Sequence, residues 1–245
     1  MQKENIASPT RETTHLRDAL LSFTIPLLVR AVPEVLSWPY PIGFDTLMYA
    51  GAALHGDYLK LGLPELLKRT SLFYLLDTYL TRATGDPILT VKLLGPLLTG
   101  LLGLAVYQYA TRSLRMRSRE ALLASIVATT YFVALRISWE MYRQMLATAA
   151  YFLAAPLLKS RDPKSLALAS LASIFIAWTH EFITVLLLAT ALAYTLEEKT
   201  LSPKPLAAAA PAAALFLYQV YDPTTHTLSI PLEEVPAPVS PPLAL

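Results

Sequence analysis

The apolar residues of this chain gather into long runs rather than alternating with polar ones. Seven runs lie near the roughly 20 residues that a bilayer core requires. They predict spanning helices over about 18–32, 88–110, 120–136, 141–158, 164–179, 182–196 and 204–220. A further stretch over 71–84, "SLFYLLDTYLTRAT", is short for a span and carries Asp77 and Arg82. It predicts an interfacial or re-entrant helix. Pro156, Pro163, Pro203 and Pro205 fall at or near run ends, where a lost backbone hydrogen bond costs least. Pro96 and Pro211 fall inside runs and predict local kinks.

The polar connections give an orientation. Lys3, Arg11 and Arg17 precede the first run. Arg112, Arg115, Arg117 and Arg119 fill the loop "TRSLRMRSRE", and Lys159, Arg161, Lys164, Lys199 and Lys204 mark the later loops on that side. Seven spans place all of these on one face, which the positive-inside rule makes cytoplasmic. An eighth span at 71–84 would put the four-arginine loop outside. The reading is therefore an all-α polytopic membrane protein with a long first extracellular loop, about 33–87, carrying interfacial helices. Residues 1–16 form a cytoplasmic N-terminal segment, 17–221 the membrane module, and 222–245 a Pro-rich extracellular tail that reads as extended or disordered. This implies a multi-pass protein of the plasma membrane, N-terminus cytoplasmic and C-terminus outside, with membrane lipid as an obligatory partner.

Composition agrees with that reading. Of 245 residues 54% are hydrophobic and 16% charged, and the mean hydropathy is +0.45; soluble domains carry about 25% charged residues. A net charge of +2 offers no basic field for nucleic acid. No cysteine is present, which excludes disulfides, thiolate chemistry and Cys-based metal sites. The first fifteen residues are polar and no cleavage-site pattern follows, so the first run is expected to remain as an anchor.

Three polar clusters fall on the expected outer face. In "PIGFDTLMYA", Asp45 can be the N-cap of a helix starting at Thr46, with Gly43 supplying the turn. It can equally serve as a general base at the membrane–water boundary, with Tyr49 one turn on. In "RISWEMYRQM", Arg136, Glu140 and Arg143 are spaced i, i+4, i+7, beside Tyr142 and Gln144. If helical they share a face, either as an interfacial salt-bridge ladder with Trp139 and Tyr142 as belt aromatics, or as a site for an anionic headgroup. In "WTHEF", His180 and Glu181 read as a cap and a surface charge, or as part of a functional pathway. Lys92, a turn inside its run from the same face, reads as a snorkelling side chain before a fourth contributor to these clusters.

The order of a first span, a long outer loop with "PIGFDTLMY", then "SLFYLLDTYLTRATGDPILTVKLLGPLLTGLLGLAVYQYATRSL" resembles the N-terminal part of the C-type (GT-C) glycosyltransferases, among them the protein O-mannosyltransferases. The likeness covers about residues 17–200. It implies a membrane enzyme moving a sugar from a polyprenyl (dolichyl-type) phosphate carrier to a protein, lipid or glycan acceptor at the outer face. It implies Asp45 as the catalytic carboxylate, with Arg136 and Arg143 on the donor phosphate and Tyr49, Glu140, Tyr142, His180 and Glu181 lining the substrate. Such donors do not strictly require a metal, although Glu140, His180 or Glu181 can complete a divalent site with Asp45. Family members are longer, the Trp-Trp-Asp acceptor motif is absent, and "GFDTLMY" holds one acidic residue, not a close pair. A non-catalytic GT-C-like subunit or truncated scaffold serving a partner membrane subunit is the alternative. A small transporter fits less well, because mid-run positions are mainly Leu, Ala, Ile and Thr.

Overall fold

The structure is a computed structural model describing residues 9–55, 57–160, 162–197, 202–222, 225 and 227–228. Its described residues are almost wholly helical. α1 (Pro9–Leu36) leads into a loop region holding α2 (Phe44–His55), a 3₁₀ turn at Asp57–Lys60, α3 (Leu63–Arg69) and α4 (Leu72–Thr84). There follow α5 (Pro87–Arg112), α6 (Ser118–Thr130), α7 (Phe132–Ile137), α8 (Tyr142–Leu158), α9 (Pro163–Thr179), α10 (Glu181–Glu197) and α11 (Lys204–Val220).

Every expected spanning run is helical, but among the described residues two helices are long and apolar enough to cross a membrane: Thr14–Leu36 of α1, and α5. The helices α8 to α11 have 17 residues each. At 1.5 Å per residue that is about 26 Å, short of a hydrocarbon core of about 30 Å. The run at 120–136 is not one helix. Tyr131 adopts an extended conformation that ends α6 and begins α7. The stretch at 71–84 is a separate helix, α4, closed at Gly85 in the left-handed region.

Local chemistry explains the boundaries. Asp86 accepts from the Ile88 and Leu89 N–H groups ahead of Pro87, the first residue of α5. Asp162 does the same for Ser165 N–H ahead of Pro163 in α9. These side chains occupy orphan donors at positions where proline's missing N–H costs nothing. Several buried hydroxyls are satisfied within their own helices: Ser173 donates to Ala169 O, Thr195 to Ala191 O and Thr99 to Gly95 O. Such back-bonding lets polar residues sit in an apolar interior.

α1 packs on α5 and α6, α5 on α8, α8 on α9, and α9 and α10 on α11. At the α1–α5 crossing a Cβ on Gly103 would collide with Ser22 O, and one on Gly100 would lie 2.9 Å from Phe23 O. The backbones therefore approach as closely as small residues permit. One core of alanine, leucine and isoleucine lies among α8 to α11. A second, aromatic one joins α2, α4, α5 and α8 through Tyr49, Phe73, Leu94 and Tyr142.

The contacts between helix ends make the long helices α1, α5, α6, α8, α9 and α10 alternate in direction, so the polar turns sort to two ends. At one end His15, Asp18, Tyr107 and Ser118 meet, with Ser118 Oγ donating to Asp18 at 2.5 Å. At the other end α4 docks on the α9–α10 turn, where Ser71 Oγ donates to Thr179 O and Trp178 Nε1 to Thr70 O, each at 2.8 Å. The end of α11 docks on α3 there, with Gln219 Nε2 donating to Leu67 O at 3.0 Å. The amphipathic pieces of the long first loop are thus ordered helices. The tail expected to be extended pairs Tyr221–Asp222 antiparallel with Thr227–Leu228; residues 1–8 of the N-terminal segment and 229–245 of the tail lie outside the described residues.

Candidate functional site

Asp45 does not cap a helix that begins at Thr46. The helix begins at Phe44, and Asp45 lies in its first turn, where a carboxylate meets the positive end of the helix dipole. Gly43 makes the turn with φ +98°, and Thr46 Oγ1 donates to its carbonyl at 2.6 Å. Gly43 lies directly on the turn between α7 and α8, because a Cβ there would run into the Trp139 carbonyl and sit 3.2 Å from Glu140 Cγ. The sequence-distant segments "PIGFD" and "ISWEM" are therefore one surface.

On that surface Arg136 and Glu140 pair at 2.8 Å, with the guanidinium over the Trp139 ring at 5.7 Å. Burial pushes the Asp45 carboxyl up from its ordinary range, the Glu140 charge pushes it further, and Arg136 opposes both. A carboxyl so raised is a better proton acceptor than a free aspartate once ionised.

Arg143 departs from the expected ladder. The chain turns between Ile137 and Tyr142, so Arg143 opens a new helix. It reaches the α9–α10 turn, with Nη2 3.4 Å from Glu181 Oε2 and Nε donating to Thr179 O. Its guanidinium lies 5.6 Å from the Tyr74 ring centroid. His180 ends α9 in an extended conformation with its Nδ1 buried, and Glu181 starts α10. Burial lowers the His180 pKa, Glu181 raises it and Arg143 lowers it.

Tyr49 and Tyr74 feel both charge groups: Arg143 lowers and Asp45 raises the pKa of each phenol. Burial pushes Tyr49 up to about 12, with Arg143 opposing. Its ring stacks on Tyr142 at 5.4 Å and meets Phe73 edge-on at 5.0 Å. Tyr142 is no belt aromatic: it is fully buried, and its hydroxyl donates to Val91 O at 3.1 Å. Of the residues expected to line substrate, Tyr142 is thus a core member and Tyr49 nearly so. Asp45, Arg136 and Glu140 form one group, and Arg143, His180 and Glu181 a second. Among the described residues no three His, Asp or Glu side chains converge to hold a metal ion, so the divalent set around Asp45 is not assembled.

Lys92 does not snorkel. It is 4% exposed, with Nζ 3.0 Å from Glu34 Oε2, and Glu34 also pairs with Arg30 at 2.7 Å. Sequence reasoning passed over Arg30 and Glu34 because they sit at the edge of the first run, where charges ordinarily flank a span. Their i, i+4 spacing was the available signal. Asp77, one of the charges that mark 71–84 as an unlikely span, is fully buried in α4 with neither carboxylate oxygen hydrogen-bonded.

Comparison with protein-family models, with curated proteins and with solved structures returned no match.

Proposed function

We propose that this chain is a multi-pass membrane glycosyltransferase of GT-C type, taking its sugar from a polyprenyl phosphate. The seven helices α1, α5, α6 with α7, α8, α9, α10 and α11 would traverse the bilayer in alternation, with the Asp45 end outward. The observation that carries the reading is the contact of Gly43 with the Trp139–Glu140 turn, which sets a carboxylate of raised basicity beside an arginine. Asp45 takes the proton of the acceptor hydroxyl. The acceptor oxygen bonds to the anomeric carbon, and the bond from that carbon to the phosphate oxygen breaks. Polyprenyl phosphate leaves carrying the electron pair. Arg136 and Arg143 stabilise that departing charge, the usual main source of rate in such transfers.

A non-catalytic scaffold is the second reading. It is favoured by the fact that each arginine already has a carboxylate partner, Glu140 for Arg136 and Glu181 for Arg143. The two readings part on one experiment. Protein reconstituted with a polyprenyl-phosphate sugar labelled in the sugar, together with membrane acceptors, should move label out of the free lipid donor. Label that stays on the donor at every protein concentration sinks the enzyme reading.

A further inference from the structure

Both segments that form the candidate site are held from beneath by one buried group of charges that the proposed chemistry does not use. Lys92, in the first turns of α5, has three acceptors for its three N–H bonds. They are Glu34 Oε2 at 3.0 Å, Ser37 Oγ at 3.2 Å and the Tyr40 carbonyl at 2.6 Å. The ammonium is thus fully satisfied, and its acceptors lie in the last turn of α1 and in the stretch that leads from it to Asp45. Arg30 reaches the other segment: its Nε and Nη2 point at the Ser138 carbonyl, each at 3.4 Å. Glu34 ties the two cations together, 2.7 Å from Arg30 and 3.0 Å from Lys92. Arg30, Glu34, Lys92 and Ser138 are all at most 4% exposed.

A buried ion-pair group of this kind is weak evidence for stability, because desolvation offsets most of the attraction. Its attested use is in fixing one arrangement out of several. Here the thing fixed is definite. One end of the group holds residues 37–40, five residues ahead of Asp45, and the other holds Ser138, two residues ahead of Glu140. The two segments then meet at Gly43 and Trp139.

We infer that Lys92, with Glu34 and Arg30, is a positioning residue that sets Asp45 against the Arg136–Glu140 pair. The consequence for catalysis rests on the glycosyl-transfer reading; the positioning itself does not. Arginine at position 92 can keep the charge and several of the donors, whereas methionine keeps the length and loses both.

The chain has no cysteine, so paired spin labels can be placed without competing sites. Leu47→Cys on α2 and Leu196→Cys near the far end of α10 both replace exposed leucines. In the full-length protein in lipid nanodiscs, pulsed electron resonance should give a narrow label-to-label distance distribution. Lys92→Met should broaden it, and Lys92→Arg should restore much of the narrow distribution. A Lys92→Met protein that keeps the narrow distribution overturns the inference. Should Lys92→Met fail to fold, Glu34→Gln, which keeps the volume and removes the shared anion, should broaden the distribution in the same way; a narrow one there overturns the inference equally. A wild-type protein with a narrow distribution and no sugar transfer would instead remove the enzyme reading and leave the positioning intact.

Discussion

The Cα of Gly43 rests against the carbonyl of Trp139, so closely that a methyl group at position 43 would overlap that oxygen. With φ at +98° the position is also outside the range that L side chains tolerate. Gly43→Ala should therefore cost at least about 2 kcal/mol in stability and separate Asp45 from Glu140. Gly85, with φ +73° and nothing within 4 Å of its Cβ position, is the control. Gly85→Ala should cost about 1 kcal/mol and leave the site intact. Thermal unfolding of the two variants in the same detergent checks the difference.

The pH dependence of the reaction should report Asp45. In the proposed mechanism its ionised form is the base, so the rate should rise with pH through a pKa held above the ordinary aspartate range by burial and by Glu140. Glu140→Gln removes a raising charge and should shift the acid limb to lower pH. Arg136→Gln removes the opposing charge and should shift it to higher pH. A pH–rate profile of kcat/KM for the three proteins reads both shifts.

Asp77 makes stability itself pH-dependent. Burial pushes its carboxyl from 3.8 up to about 7. The folded protein thus holds this proton more tightly than the unfolded chain. The stabilisation is complete below about pH 4, declines as pH rises towards 7, and is gone above it, a swing of about 4 kcal/mol. Asp77→Asn has no proton to lose. The variant should match wild type near pH 4 and be the more stable protein at pH 8, as denaturant melts at the two pH values would show.

The proposed mechanism has Arg143 hold a phosphate oxygen with a planar fork, and lysine keeps the charge without the fork. Arg143→Lys should lose about 2 kcal/mol of transition-state binding, or roughly 30-fold in kcat/KM. An unchanged kcat/KM removes Arg143 from the donor site.

The helices were legible because apolar runs of this length have few alternatives. Six of the seven expected runs are each one helix, the run at 120–136 is two, and the 71–84 stretch is a helix of its own. Two kinds of feature were not legible. The break at Tyr131 lies in "TTYFV", which has neither proline nor glycine to mark it. The fates of Lys92, Arg30 and Glu34 depend chiefly on partners 52 to 108 residues away in sequence, Lys92 with Glu34, Ser37 and Tyr40, and Arg30 with Ser138. A charge near the edge of an apolar run looks the same whether it reaches for water or for a distant carboxylate. Arg143 misled for a related reason. Its i+7 spacing from Arg136 implied one face, but the chain turns between them and sends it to Glu181.

Asp45 is the proposed base of a sugar transfer. The most direct test compares wild type and Asp45→Asn, both reconstituted in vesicles and matched for melting temperature, with polyprenyl-phosphate sugar labelled in the sugar. Asparagine keeps the shape and cannot take the acceptor proton. Wild type should move label to acceptor while Asp45→Asn leaves it on the donor lipid. Equal transfer by the two proteins would contradict the account.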